Sequence, residues 1–155
     1  MHIQGLLTFL LSSCLFLLGG LLSCSPRQES SIPSVPVYYE LHFGSAVGSK
    51  LFSPGSAVEI RRPETAVQNI GVSGLLLVHS IIEADVFYAF DLCCPHEAQP
   101  AISVQLNEAL EAVCPTCHSV YSIIYGSGAP QKGPSREALR RYHVRNMGDR
   151  LVVAN

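Results

Sequence analysis

Four cysteines and two histidines of this chain fall in two short clusters, Cys93-Cys94-Pro95-His96 and Cys114-Pro115-Thr116-Cys117-His118, with seventeen residues between His96 and Cys114. Thiolates and imidazoles at such spacing are the donor set of zinc sites and of iron-sulfur clusters. A proline directly after a cysteine fixes the backbone just beyond the sulfur, so the amides that follow turn toward it and the next donor comes round to the same point. Two such turns on adjacent hairpin tips, one offering Cys94 and His96 and the other Cys114 and Cys117, make one pocket of three sulfurs and one nitrogen. Four cysteines in an exported chain would also serve two disulfides. Cys93 and Cys94 cannot bridge each other without strain, and Cys114 and Cys117 have the spacing of a ligand or redox pair. Bridges between the two clusters remain the competing arrangement.

Hairpin tips need strands behind them. Between Val37 and Asn155 helical periodicity is almost absent, and short runs rich in β-branched and aromatic residues take its place. Strands are predicted at Val37 to Phe43, Ala57 to Ile60, Leu75 to His79, Val86 to Phe90, Ile102 to Leu106 and Leu151 to Val153, separated by Gly, Pro, Ser and Asn. Strands this short and this numerous argue an all-β sandwich or small barrel. A helical turn or two, or a loop, is predicted at Ser135 to Arg140 after Gly133-Pro134.

The amino terminus reads as an address. Residues 1–23 carry an apolar run that ends in Leu21-Leu22-Ser23-Cys24 and then turns polar. This is the pattern of a signal peptide and not of a spanning helix. The last four residues resemble a bacterial lipobox, which makes Cys24 the acylated residue and the new amino terminus. An unmodified thiol or an uncleaved anchor is the competing reading, since no Lys or Arg precedes Arg27. Cys14 lies inside the apolar run and is read as discarded with it. Residues 24–36 contain three prolines and no periodicity, the mark of a flexible tether. The folded domain is then 37–155, tethered to the membrane in a bacterial cell envelope.

With 155 residues in all there is room for one domain. The net charge of -2 gives no basic excess for nucleic acid. Arg136, Arg140, Arg141, Arg145 and Arg150 are read as a solvated face. His2 belongs to the leader, and His42, His79 and His143 each stand alone as ordinary surface or core residues. No phosphate-binding glycine loop or Ser-His-Asp signature is present.

The order Cys-x-His, an intervening hairpin, then Cys-Pro-x-donor-x-Ser-x-Tyr resembles the two cluster-binding loops of Rieske 2Fe-2S domains. Val86 to Asp91 is similar to that family's strand leading into its first loop. Gly126, Gly133-Pro134, Leu139, Tyr142, Val144 and Leu151 to Val153 resemble its closing segment, so the likeness covers most of Leu75 to Asn155. It implies a small antiparallel β-sandwich or barrel with two metal-binding hairpin loops, and Cys94, His96, Cys114 and Cys117 as the cluster ligands. It also implies a Ser119 hydroxyl near a bridging sulfide and a Tyr121 phenol near a cysteine sulfur. Two positions depart from the pattern, Cys117 where the family has histidine and His118 where it has glycine. Keeping Ser119 and Tyr121 in register makes Cys117, and not His118, the donor. Gln99 and Thr116 stand where some members carry a loop-bridging disulfide. Cys93 is read as a neighbouring thiol, because only Cys94 has the Cys-x-His spacing.

The function this implies is one-electron transfer by a 2Fe-2S cluster to or from a redox partner protein. An electron carrier or redox subunit is favoured over a stand-alone enzyme, because no residues for substrate chemistry are visible. Thiolate in place of a neutral imidazole adds negative charge and predicts a potential below that of two-histidine centres. Two alternatives share the fold: a structural Cys3His zinc site, and a cofactor-free interaction module.

Overall fold

The computed structural model describes residues 30–155. The predicted signal peptide, Cys14, Cys24 and residues 24–29 of the predicted tether lie outside the described residues. The described chain is all-β apart from one short 3-10 turn at Gly48–Leu51. Its strands are β1 (Val37–His42), β2 (Ala57–Ile60), β3 (Asn69–Ile70), β4 (Leu75–His79), β5 (Phe87–Asp91), β6 (Gln105–Leu106), β7 (Glu111–Val113), β8 (Val120–Ser122), β9 (Pro130–Lys132), β10 (Arg141–Asn146) and β11 (Arg150–Ala154). Two sheets form: β2-β4-β5-β10-β11-β1-β3, and a smaller β6-β7-β8-β9. Every named pairing is antiparallel.

Strands β4 and β5 explain how the sheets share one body. Both are buried at every position, because successive side chains point to opposite faces and each face meets a core. Leu75 and Leu77 pack with Tyr39, Leu41, Leu151 and Val153 inside the large sheet. Leu76 and Val78 pack with Phe90, Leu92, Val104, Tyr121 and Ile123 against the small sheet. A strand walled in on both sides reads as a continuous apolar run, which is what Leu75 to Val78 shows. β1 and β11, with one wetter face, alternate instead.

His79 ends β4 as a core residue. Its ring stacks on Phe87 at 4.3 Å between centroids, and its nitrogens lie 2.6 Å from the carbonyls of Leu51 and Ala84. His42 and His143 are exposed.

Several elements differ from the sequence expectation. The segment Ser135 to Arg140 is a loop, because its amides go elsewhere: Ser135 N donates to Ser119 Oγ at 3.0 Å and Leu139 N to Gly128 O at 3.0 Å. Of Ile102 to Leu106 only Gln105–Leu106 is a strand, with Ser103 bridged singly to Cys93. β3, β7, β8 and β9 have two or three residues each and offer too little pattern to detect. β10 was hidden by its polar face, since only Tyr142 of its six residues is fully buried.

The described end of the predicted tether is docked. Ile32 is fully buried, and its carbonyl accepts from Arg140 at 2.6 Å. Asn155 clasps the same segment, donating to Val35 O and accepting from Val37 N, each at 2.6 Å. The packed chain thus extends amino-terminal to Val37.

Candidate metal centre

Strand β5 leaves the shared wall of the two cores at Asp91, a fully buried carboxylate. An ionised carboxylate survives there only with its oxygens fully engaged. Oδ2 accepts from Val72 N and the Tyr142 hydroxyl, each at 2.7 Å, and Oδ1 from Ser73 N at 3.1 Å and Cys93 N at 2.7 Å. The carboxylate therefore ties the 71–74 turn, β10 and the start of the first cysteine loop to one point.

The two cysteine loops are built alike. In the first, Ala98 N donates to Cys94 O at 2.9 Å and Ala98 has φ +51°. In the second, His118 N donates to Cys114 O at 3.0 Å and His118 has φ +58°. Each loop is thus cysteine, proline, two residues, then a left-handed residue that closes the turn. Small environmental support must hold a non-glycine there, since that region is sparsely populated for other residues. Each loop is also tied to its own sheet, Cys94 N to Ile102 O at 3.2 Å and Cys114 N to Ser119 O at 2.9 Å.

The turns bring three sulfurs together. The Sγ atoms of Cys94, Cys114 and Cys117 all lie within 4.8 Å of one another, and Cys94 and Cys117 are 3.7 Å apart. Cys94 and Cys114 are fully buried and Cys117 is half-buried. All four described cysteines are free thiols, so the disulfide arrangement is not the one adopted. Cys93 is buried but points its sulfur to Gln99 O at 3.6 Å, outside the cluster. His96 is exposed and does not join the sulfurs. The similarity of the loops explains this: His96 stands two residues after its cysteine, where the second loop has the exposed Thr116, whereas Cys117 stands three after. His118 is also exposed and serves as the turn residue.

Hydroxyl groups back the sulfurs. The Tyr121 hydroxyl lies 3.4 Å from Cys94 Sγ, and Ser119 Oγ lies 3.2 Å from Cys117 Sγ. Because Ser135 N donates to Ser119 Oγ, the serine proton is free to face the sulfur. Gly133 makes this approach possible: at φ +89° a Cβ there would sit 2.5 Å from Ser119 Cα. Burial pushes the Cys114 thiol up to about 12. Burial also opposes ionisation of Cys117, but the Ser119 hydroxyl, the Ser119 amide and the two neighbouring thiols together outweigh it and lower its pKa. A thiolate is therefore favoured at the half-buried Cys117 over the buried Cys114.

The spacing of the two clusters offered Cys94, His96, Cys114 and Cys117 together, of which the structure brings the three sulfurs to one point, and Ser119 and Tyr121 entered through the family resemblance. Asp91, Gly133 and Ser135 were not singled out as part of the site. Asp91 had one visible signal, a lone acid closing a wholly apolar run. Ser135 and Gly133 had none, because their role comes from a loop that returns to Ser119 only in the folded chain.

Donor chemistry matches both metal classes. Two thiolates on one tetrahedral ion with metal-sulfur bonds of about 2.3 Å stand roughly 3.8 Å apart, and the Cys94 and Cys117 sulfurs are 3.7 Å apart. Three of the four donors that a 2Fe-2S group requires converge, and the fourth candidate, His96, is carried by the same loop as Cys94.

No family model and no curated protein matches the chain. Among solved structures it is similar to a chain from the complex of reduced oxygenase and oxidized ferredoxin in carbazole 1,9a-dioxygenase, with TM-score 0.48 and 19% identity over 76% of this chain and 93% of that one. It is also similar to the ferredoxin of carbazole 1,9a-dioxygenase from Nocardioides aromaticivorans IC177, with TM-score 0.44 and 22% identity over 78% and 98% of the two chains. A Sphingomonas yanoikuyae B1 ferredoxin overlaps with TM-score 0.42 and 14% identity over 66% and 88%.

Proposed function

We propose that this chain is a membrane-tethered electron carrier that holds a Rieske-like 2Fe-2S cluster through Cys94, His96, Cys114 and Cys117. Export by residues 1–23, acylation at Cys24 in a bacterial cell envelope and a linker from Cys24 to the point where Ser31 and Ile32 dock on the domain complete the reading. The observation that carries it is the pair of hydroxyls on the sulfurs, Tyr121 on Cys94 and Ser119 on Cys117, in the register that the sequence resemblance implies.

When bound, a 2Fe-2S group supplies reversible one-electron transfer. The protein's part is done by its own groups. Cys94 and Cys114 lie in a water-excluded layer beneath Leu92, Val104 and Tyr121. Tyr121 and Ser119 aim O–H dipoles at sulfur, which stabilises added negative charge there and raises a potential. Cys117 acts in the opposite sense, since a thiolate brings a charge that imidazole lacks. The exposed His96 presents its ring to solvent at the edge of the site. A redox protein supplies or accepts the electron.

The test is metal and sulfide analysis of protein purified without air. Red-brown protein with iron and acid-labile sulfide in equal amounts, losing both in the Cys94→Ala and Cys114→Ala variants, is the expected result. A second reading rests on the compactness of the sulfur triangle, which suits a single zinc ion closed by His96. Colourless protein with one zinc per chain and no sulfide selects it and overturns the first.

A further inference from the structure

The segment just upstream of β1 is fastened to the metal end of the fold. Ser31 Oγ donates to Pro95 O at 2.7 Å, and Pro95 lies between Cys94 and His96. Ser31 N donates to the Glu137 carboxylate at 2.9 Å, and the Arg140 guanidinium donates to Ile32 O at 2.6 Å. Ile32 is fully buried beneath these contacts, and the Asn155 amide grips Val35 and Val37 farther along. Two of the bonds involve a charged group, the stronger class of hydrogen bond. These residues form a strap across the base of the first cysteine loop.

Strand direction places the strap at one pole of the domain. Asp91, which closes β5 two residues before Cys93, donates its N–H to Arg140 O, and β10 starts there at Arg141 opposite Phe90. From Arg141 to Asn146 the chain runs away from the cysteine loops by about 17 Å at the usual strand rise. The hairpin at Met147 is therefore the opposite pole, and Met147 is exposed.

Six residues lie between Cys24 and Ser31, seven chain steps in all. Even fully extended they reach no more than about 25 Å. We infer that the strap makes the metal end the membrane-facing end, so that the redox partner is one embedded in the bilayer. This inference rests on the acylation of Cys24 in the function proposed above. A freely diffusing globular protein, on the order of 30 Å across, does not fit between the cysteine loops and the lipid, whereas a membrane-embedded partner meets the loops directly. A tether joined at the Met147 pole would have placed the same loops toward solvent.

The test uses the acylated chain in vesicles carrying an energy-transfer acceptor on the lipid headgroups. A fluorophore is introduced through a non-natural residue at Thr116, exposed on the second loop, or at Met147, and each signal is normalised to vesicles without acceptor. Transfer from position 116 is expected to exceed transfer from position 147 by severalfold. Inserting roughly 30 Gly/Ser residues between Gln28 and Glu29, outside the described residues, is expected to abolish the difference. Ile32→Asp, which expels the strap, should do the same with unchanged β-sheet circular dichroism. Equal transfer from both positions in an acylated natural chain, or a difference that survives the insertion, overturns the inference. Mass spectrometry of the amino-terminal peptide reports separately on the anchor: an unacylated Cys24 overturns the reading on which the inference rests.

Discussion

The phenolic oxygen of Tyr121 and the sulfur of Cys94 meet at 3.4 Å although one comes from strand β8 and the other from the first cysteine loop. Tyr121 is held on β8, opposite Ala112 of β7, and is fully buried with its ring in the core between the sheets. The contact therefore joins the second loop's hairpin to the first loop's cysteine through the packed interior. Burial and the Cys94 thiol both keep the phenol protonated well above its ordinary range, so it remains an O–H donor toward sulfur under any physiological condition.

Tyr121→Phe keeps the ring and removes that donor. A hydrogen bond onto charged sulfur is worth about 1.5–3 kcal/mol, which for a one-electron couple corresponds to about 65–130 mV. The midpoint potential of reconstituted protein should fall by that amount in a redox titration, with the spectrum otherwise retained. An unchanged potential would show that the contact does not touch the charge of the centre.

Cys117 should be the first thiol to react in metal-free protein. It is half-buried and its pKa is lowered, while burial raises Cys114 to about 12 and also raises Cys93. Reactivity follows the thiolate and its access. Limited alkylation near neutral pH, followed by peptide mapping, should label Cys117 well ahead of Cys93 and Cys114. Ser119→Ala should slow the labelling, because the hydroxyl that favours the thiolate is gone. Faster labelling at Cys114 would contradict this distribution of charge.

Asp91→Asn should destabilise the domain strongly. The carboxylate accepts four bonds, and an amide turns one acceptor oxygen into a donor facing N–H and O–H groups. Hydrogen bonds to charged acceptors are worth about 1.5–3 kcal/mol, so the loss should be about 3 kcal/mol in urea unfolding. Tyr142→Phe removes one of the four and should lose roughly half as much. A variant within measurement error of the wild type would mean that the hub is dispensable.

Alkaline pH should unfold the protein through its buried phenols. Burial, followed by the Glu64 carboxylate, pushes Tyr39 up to about 12. Burial raises Tyr121 and Tyr142 as well, with Cys94 and Asp91 adding to it. Each is neutral in the fold and ionises near the ordinary tyrosine value of about 10 once unfolded. Their contribution to stability is fully present below pH 10 and is lost as pH rises from there through about 12. Phenolate absorbance and circular dichroism followed together should change in one cooperative step above pH 10. Tyrosine ionisation complete before any loss of circular dichroism would count against it.

Particular elements show where sequence reading reaches its limit. Leu75 to Val78 and Phe87 to Phe90 announce buried strands because both their faces are apolar, and the structure places them between two cores. β10 carries Arg141, His143 and Arg145 on an exposed face and looks like a polar segment, although its pairing with β5 and β11 holds the large sheet together. The prolines of residues 30–36 suggest a free linker, yet Ile32 in their midst finds a buried site that no local pattern encodes.

The sequence by itself determined that the described chain is all-β, from its short β-branched and aromatic runs, and that Cys114 and Cys117 share one turn, because a proline-directed turn after a cysteine acts over only a few residues. Only the tertiary structure decided the rest. It left His96 outside the sulfur trio, since the turn returns the residue three positions on and not two. It gave Asp91 its four donors, brought Gly133 and Ser135 onto Ser119, and laid Ser31 across Pro95. Each of these joins residues far apart along the chain, and nothing near them in sequence records a contact that exists only once the two cores have closed.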